Sequence, residues 1–309
     1  MKILVLGNAG FIGSHLSDSL IEDGHKVHGI DNLSTGKKAN IHLKTIFHQL
    51  DISKDFKKII KLFKQERFDF VFHLAALARI PECLDKPLVS FDINVRSTLW
   101  LLQQAREWGA RFIFSSSSSV YGEVKGTMPI DENDELKPIS MYGLHKLTAE
   151  QLTLQYAKFY GLRASALRYF NVYGTARQSA DGAYPNVFSA FNRDSKKGEI
   201  TIFGDGEQRR DYVHVLDVVR ANKEFLWTDK GWGEVFNIGT GETHTVNEVA
   251  KYFSPKRTNY QLPRVGDPLF SCARVSKVYD KLGFKSKIGF EEGVQLYLNS
   301  VKEAENVSR

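Results

Sequence analysis

Short apolar runs separated by helical patterns, a glycine turn opening the chain, and a break in that rhythm after Gly174 predict an α/β fold. The expected architecture is a doubly wound parallel sheet with a smaller mixed α/β lobe. The first element is strand Ile3–Leu6, which runs into Gly7, Gly10 and Gly13, spaced G-x-x-G-x-x-G, and these open an amphipathic helix, Phe11 to Glu22. Gly7 permits the tight turn, Gly10 lets the backbone approach a pyrophosphate, and Gly13 lets the helix pack closely on the strand. The unpaired N–H groups of the helix start face the anion. Strand Lys26–Ile30 ends at Asp31, 18 residues past Gly13, where a carboxylate can hold adenosine ribose hydroxyls. Asp31 would repel a 2′-phosphate and no Arg stands next to it, so this Rossmann-type turn reads as an NAD site rather than an NADP site.

Strand Ile46–Leu50, helix Phe56–Lys64 and strand Phe68–Leu74 follow, then a long helix from about Pro87 to Trp108 and strand Arg111–Ser115. A helix from about Met141 to Tyr160 and strand Arg163–Tyr169 complete the alternation, which implies buried parallel strands joined by right-handed crossovers. Beyond Gly174, Thr175–Tyr184 is polar, and short strands (Glu199–Phe203, Glu234–Ile238) mix with helices and a Gly-rich stretch, Gly231–Gly241. A cofactor domain is expected over residues 1–174 plus about 211–240, and a substrate lobe over about 175–210 and 241–309. Lys302–Arg309 reads as a charged, frayed end.

Composition excludes several classes. At 309 residues the chain can bury a large core, and 42% hydrophobic with 25% charged residues is ordinary for a globular protein. No apolar run approaches the ~20 residues of a membrane span. The strand and glycine turn begin at residue 1, so no cleavable leader is expected there. Two cysteines, Cys83 and Cys272, form no motif, and a reducing, cytoplasmic setting is the expectation. The net charge of +6 includes Lys54, Lys57, Lys58, Lys61 and Lys64, a solvated helix face without interleaved aromatic residues, so nucleic acid is not expected as a partner. The nine histidines show no metal spacing, and no metal is expected.

The chemistry falls in Phe114–Gly122 (FSSSSSVYG) and Ser140–Lys146 (SMYGLHK). Tyr142 and Lys146 are four apart on a helix and share one face. An ammonium about 5 Å from a phenol, at an effective dielectric of about 20, contributes roughly 3 kcal/mol, enough to draw the phenol from ~10 toward ~8 and make it a usable base. The pattern Y-x-x-x-K also occurs at Tyr121/Lys125 and Tyr252/Lys256, but only Tyr142/Lys146 begins a helix, with Pro138 and Ser140 ahead as start signals. The serine run leaves its strand at the carboxyl end, where ligands sit in open α/β sheets.

With these motifs in place, the chain resembles the extended short-chain dehydrogenase/reductases of the nucleotide-sugar epimerase branch, and most of all the UDP-glucose and UDP-N-acetylglucosamine 4-epimerases. The marks span nearly the whole chain: GNAGFIG, DNLSTG (Asp31–Gly36), Leu50–Asp51, HLAA (His73–Ala76), Asn94, SSSSSVYG, YGLHK, RYFNVYG (Arg168–Gly174), Phe203–Asp217 and RVGD (Arg264–Asp267). The resemblance implies NAD-dependent epimerisation at C4 of a UDP-hexose through a transient 4-keto sugar, in a homodimer joined by a four-helix interface. It implies Ser117 as the hydroxyl that orients the sugar, Tyr142 as general base and Lys146 as its partner and ribose ligand. For the cofactor it implies Gly7, Gly10, Phe11, Ile12, Gly13, Asp31, Asn32, Ser34, Asp51, Ile52, Leu74, Ala75, Ala76, Asn94 and Tyr169. For the substrate it implies Asn171, Asn186, Val187, Phe203, Arg210, Arg264 and Asp267. Ser271 falls at the position lining the C2 side of the sugar, where a small residue admits an N-acetyl group and a large aromatic one excludes it.

Departures narrow the reading. Dehydrating relatives carry Asp-Glu just after the catalytic hydroxyl, and sugar-acid decarboxylases carry Glu there; this chain has Ser118 and Ser119. Ala78 stands where galactose-type epimerases often carry a cofactor-binding Lys. The alternatives are a nucleotide-sugar reductase, an epimerase acting at another carbon, or a catalytically silent binder, which the intact Ser117, Tyr142 and Lys146 disfavour.

Overall fold

A computed structural model describes residues 1–124, 128–178, 186–263 and 268–307. The first half alternates as β1 (Lys2–Leu6), α1 (Phe11–Glu22), β2 (Lys26–Asp31), β3 (Ile46–Gln49), α2 (Phe56–Glu66) and β4 (Phe70–His73). Then come α3 (Ile80–Asp85), α4 (Pro87–Phe91), a π-helical turn over Asp92–Arg96, α5 (Ser97–Trp108), β5 (Arg111–Ser117), α6 (Met141–Tyr160) and β6 (Ala164–Tyr169). The second half holds β7 (Asn171–Tyr173), α7 (Val187–Ser195), β8 (Glu199–Phe203), β9 (Arg209–Arg210), β10 (Tyr212–His214), α8 (Val215–Trp227) and β11 (Val235–Ile238). It closes with β12 (His244–Thr245), α9 (Val246–Lys251), β13 (Arg257–Gln261), β14 (Phe270–Ser271), α10 (Ser276–Leu282) and α11 (Phe290–Val307).

Seven strands form one parallel sheet in the order β11-β6-β5-β4-β1-β2-β3. Successive side chains of a strand face opposite ways, and the sheet sorts them into two cores. Ile3 and Val5 pack with Leu16, Leu20 and Phe225 under α1 and α8, while Leu4 and Leu6 pack with Ile59, Phe63, Leu101 and Ala149 under α2, α5 and α6. The order reverses direction at β1, with β2 on one side and β4 on the other. That switch point opens a crevice at the carboxyl ends of the strands. Over the same ends sits a third core, built from Tyr173, Phe188, Phe191, Ile202, Val249 and Tyr297. Short strand pairs tie this region together: β10 on β7, β13 on β8, and β9 between β12 and β14.

Several expected bounds shift. β5 runs two residues further than expected, so Ser116 and Ser117 belong to the strand, and only Ser118–Val120 turn away. The long helix beginning at Pro87 is present but carries the π turn, and α3 precedes it because Pro81 at its start costs no hydrogen bond. Near the carboxyl end, α11 stays helical to Val307 instead of fraying from Lys302, anchored by Val294, Tyr297 and Val301 in the third core. Among the described residues no helix is long and apolar enough to cross a membrane.

Candidate active site

The glycine turn is built as the spacing requires. Gly7 sits at φ +82°, donates its N–H to the Ile30 carbonyl at 2.8 Å, and a methyl group on it would lie 2.8 Å from the Ala75 nitrogen. A methyl group on Gly13 would overlap the Gly7 carbonyl oxygen, so the helix can approach the strand only through a bare Cα. Asp31 accepts hydrogen bonds from the Ala9 N–H (3.1 Å) and the Leu33 N–H (2.8 Å). Each carboxylate oxygen keeps a second lone pair for the cavity it borders. Burial pushes the Asp31 carboxyl above its ordinary value, with those two N–H bonds pulling the other way.

A cavity of about 180 Å³ runs along this turn, bordered by Gly7, Gly10, Asp31, Asn32 and Ser34 on one side. Asp51, Ile52, Leu74, Ala75 and Ala76 border the other side. Asn32 donates to Asp51 at 3.2 Å, which holds the β2 and β3 exits together. A carboxylate and a glycine turn among apolar side chains suit the adenosine portion of a dinucleotide with free ribose hydroxyls. Gly13 lies beneath the cradle, outside the wall. Asn94 is also off the wall: from the π turn its amide accepts from the Leu77 N–H (2.8 Å) and donates to the Leu77 carbonyl (3.0 Å). Its Nδ2 also reaches the Ser90 hydroxyl, which in turn meets His145 Nδ1 at 2.8 Å. Asn94 therefore shapes the loop after β4 from behind.

The larger cleft, about 1250 Å³, lies at the carboxyl ends of β5 and β6 and begins at Phe11, Ile12, Leu74 and Ala76. Ser117, Tyr142, Lys146 and Tyr169 line it, and so do Asn171, Asn186, Arg210 and Ser271. Helix α6 presents Tyr142 and Lys146 because Ser140 caps it, accepting the Gly143 N–H at 3.1 Å. Gly143 leaves no room for a side chain, since a methyl group there would lie 2.5 Å from the Ser119 carbonyl oxygen. The helix start is therefore pressed against the strand exit. Lys146 Nζ donates to the Ser115 carbonyl at 2.7 Å and lies 5.9 Å from the centre of the Tyr142 ring.

The expected acidity is not what this pocket produces. Burial pushes the Tyr142 phenol up to about 12, opposed by its hydrogen bond with the Ser117 hydroxyl, and pulls the Lys146 ammonium down to about 7. The simple two-charge argument gave a phenol near 8 because it omitted the loss of water from both groups. In a dry pocket the neutral form of each is favoured. A bound cation beside the phenol would reverse that balance.

Arg210 is buried and donates to the Arg209 carbonyl at 3.0 Å, and Asn186 caps α7 by accepting the Phe188 N–H at 2.9 Å. Ser271 pairs with Arg210 across β14 and β9, and its buried hydroxyl finds no hydrogen-bond partner among the described residues. Val187 and Phe203 border neither cavity as described, while Arg264 and Asp267 lie outside the described residues. Sequence reasoning missed Arg79, which borders both cavities and pairs with Glu82 at 3.0 Å. Its only sequence signal is a charge just past the HLAA strand end. No group of three or more His, Cys, Asp or Glu side chains suited to a metal occurs among the described residues.

A phenol, an ammonium and a hydroxyl lining one cleft, next to a cavity bordered by a glycine turn and a carboxylate, can take and return a proton beside a hydride acceptor. Comparisons with known proteins give the family. The model of the NAD dependent epimerase/dehydratase family matches residues 3–239. A UDP-glucose 4-epimerase of Lactobacillus helveticus is 36% identical, over 93% of this chain and 92% of its own. The crystal structure of a Thermotoga maritima UDP-glucose 4-epimerase with UDP-glucose superimposes with a TM-score of 0.94 at 40% identity, covering 99% of this chain and 100% of that one. A UDP-N-acetylglucosamine 4-epimerase from Methanobrevibacter ruminantium, in complex with UDP-N-acetylmuramic acid, gives 0.90 at 34% identity and covers 98% of both chains.

Proposed function

Because the chain belongs to the NAD-dependent epimerase/dehydratase family of enzymes and takes NAD as its cofactor, we propose that it inverts C4 of a UDP-hexose. The observation that carries this reading is the meeting of Ser117, Tyr142 and Lys146 in the cleft beside the Gly7–Asp31 cavity. NAD, when bound, supplies a reversible hydride acceptor for C4. Tyr142 takes the proton of the C4 hydroxyl and later returns it, while Ser117 holds that oxygen in line. Lys146 steadies the phenolate and binds the nicotinamide ribose. The cleft, about 1250 Å³, leaves room for a 4-keto sugar to turn and present the other face of C4. Neither Ser118 nor Ser119 can act as the acid or base that C6 elimination needs, which favours epimerisation over dehydration.

On the cofactor side, the glycine turn at Gly7, Gly10 and Gly13 would receive the pyrophosphate and Asp31 the ribose. On the substrate side, Arg210 is the natural fork for diphosphate oxygens, with Asn171 and Asn186 beside it. Arg264 and Asp267 carry the same role from the resemblance alone. Ser271 leaves space next to the sugar, and its unpartnered hydroxyl suits an acetamido group, so the acetylated pair UDP-GlcNAc/UDP-GalNAc is proposed as a substrate at least as good as UDP-glucose/UDP-galactose. Exposed Leu88, Phe91 and Leu99 on α4 and α5 support a homodimer through these helices.

Purified protein incubated with each UDP-sugar, with and without added NAD, should interconvert C4 epimers without net NADH. Tyr142→Phe should lose at least about a thousandfold in turnover while still binding NAD. Retention of a tenth of the wild-type rate would overturn the assignment of the base, and a need for stoichiometric reductant would make the chain a reductase.

A further inference from the structure

We infer that Ser116 and Glu150, gripped by Arg168, are positioning residues that set where the Ser117 hydroxyl stands relative to the Tyr142 phenol; this rests on the function proposed above. Tyr142, Lys146 and Glu150 are spaced four apart and share one face of α6, directed at β5. Three consecutive serines of β5 each answer one of them. The Ser117 hydroxyl faces the Tyr142 phenol and donates to Ser119 Oγ at 3.1 Å, the Ser115 carbonyl accepts from Lys146 at 2.7 Å, and the Ser116 hydroxyl donates to Glu150 Oε2 at 2.7 Å. The serine run is thus a ladder between a strand and a helix, with Glu150 as its deepest rung.

That rung is fixed from the next strand. Arg168 lies directly across from Ser116 in the β5–β6 register, and its guanidinium forks onto Glu150, Nε to Oε2 at 2.9 Å and Nη2 to Oε1 at 2.6 Å. Its Nη1 continues to the Tyr121 hydroxyl at 2.6 Å and the Glu132 carbonyl at 3.1 Å. Ser116, Glu150 and Arg168 are each no more than 2% exposed. Burial works against the Arg168 charge, but Glu150 together with Tyr121 more than offsets it and the guanidinium pKa is raised.

A buried ion pair is a poor source of net stability, because desolvation consumes much of its attraction and apolar packing would serve as well. What a forked pair does supply is geometry. Three directed bonds onto one carboxylate resist both sliding and rotation of α6 against β5. Ser117 is the neighbour of Ser116, so any slip of the rung moves the hydroxyl that faces Tyr142. A displacement on the order of 1 Å at a reacting group can cost about a hundredfold in rate.

Ser116→Ala tests this surgically, because it deletes one hydroxyl and leaves the Arg168–Glu150 pair in place. Steady-state kinetics on a UDP-hexose and thermal midpoints are compared for wild type, Ser116→Ala, Ser116→Thr, Glu150→Gln and Tyr142→Phe. The expected result is a kcat for Ser116→Ala reduced about ten- to thirtyfold, a KM within about twofold and a nearly unchanged midpoint. Ser116→Thr should recover most of the loss, since it keeps a donor for Glu150, and Glu150→Gln should lower kcat at least as far. A Ser116→Ala enzyme within about twofold of the wild-type kcat overturns the inference, as does a loss that follows the thermal midpoint and is not rescued by Thr. A wild type that fails to invert UDP-hexoses overturns the functional reading; an active wild type that loses turnover with Tyr142→Phe but not with Ser116→Ala overturns this inference alone.

Discussion

Gly13 stands so close to Gly7 that the helix opening the cofactor turn rests on the carbonyl of the strand exit, with no room for a single methyl group between them. Gly13→Ala must therefore push α1 away from β1. The expected cost is about 1–3 kcal/mol of overpacking strain and at least about a tenfold weaker grip on NAD. Fluorescence titration with NADH and a thermal melt would measure both. Unchanged affinity would mean that the turn does not hold the pyrophosphate.

The Tyr142–Lys146 pair predicts a pH profile. With burial holding the phenol up at about 12 and the ammonium down at about 7, the base becomes available only where a nearby positive charge draws the proton away. Lys146→Ala removes the cation supplied by the chain itself. The rise of kcat/KM with pH should then move to higher pH, and neutral-pH activity should fall by about two orders of magnitude. Superimposable profiles for the two enzymes would exclude Lys146 from the proton chemistry.

Three histidines predict acid lability. Burial lowers His15 and His28 to about 4 and His73 to about 3, all from 6.5, so the folded chain keeps them neutral while the unfolded chain protonates. Below pH 6.5 the unfolded state binds more protons, and stability falls as pH drops toward 4 and 3; above 6.5 these groups contribute no slope. His28 packs between His48 and Phe68, and His28→Phe keeps a ring there while removing one titration. Its thermal midpoint should fall less steeply than wild type between pH 6.5 and 4, and equal slopes would rule His28 out.

Ser271 predicts a substrate split. Replacing it by Tyr fills the space beside Arg210, so acetamido sugars should lose at least about a hundredfold in kcat/KM while UDP-glucose and UDP-galactose lose little. A parallel loss on both classes would place Ser271 away from the C2 substituent.

Exposed apolar residues predict the assembly. Leu88 and Phe91 are 81% and 45% exposed on one short helix, where a second copy could cover them. Sedimentation at micromolar concentration should give a dimer for wild type and a monomer for Leu88→Glu/Phe91→Glu. A monomeric wild type would refute the proposed interface.

Local rules explain where the sequence was readable. Helices α1 and α6 begin and end at the expected residues, because Ser140 caps one start and Gly161 ends α6 in the left-handed region that glycine favours. The π turn was not readable: an extra residue inside a helix leaves the apolar pattern nearly intact, yet it is what delivers the Asn94 amide to Leu77. Pairings between distant segments were equally silent. Nothing near Ser271 signals that β14 lies beside β9, and nothing near Glu150 signals Arg168 across the sheet. The acidity of Tyr142 was misread for the same reason, since spacing along α6 gives its neighbour Lys146 and says nothing of how much water the fold removes.

The strand order also sets a timetable for synthesis. Six strands of the large sheet, ending with β6, are complete by Tyr169, but β11, which covers the outer edge of β6, comes only after β7 to β10 and α8 have been made. Throughout that interval the nascent sheet presents a bare edge whose residues, Ala164 to Tyr169, are all destined for the interior. Open apolar edges recruit other strands. A chain that stops between Tyr169 and Val235 therefore has its glycine turn complete but leaves the β6 edge open to pairing with another strand.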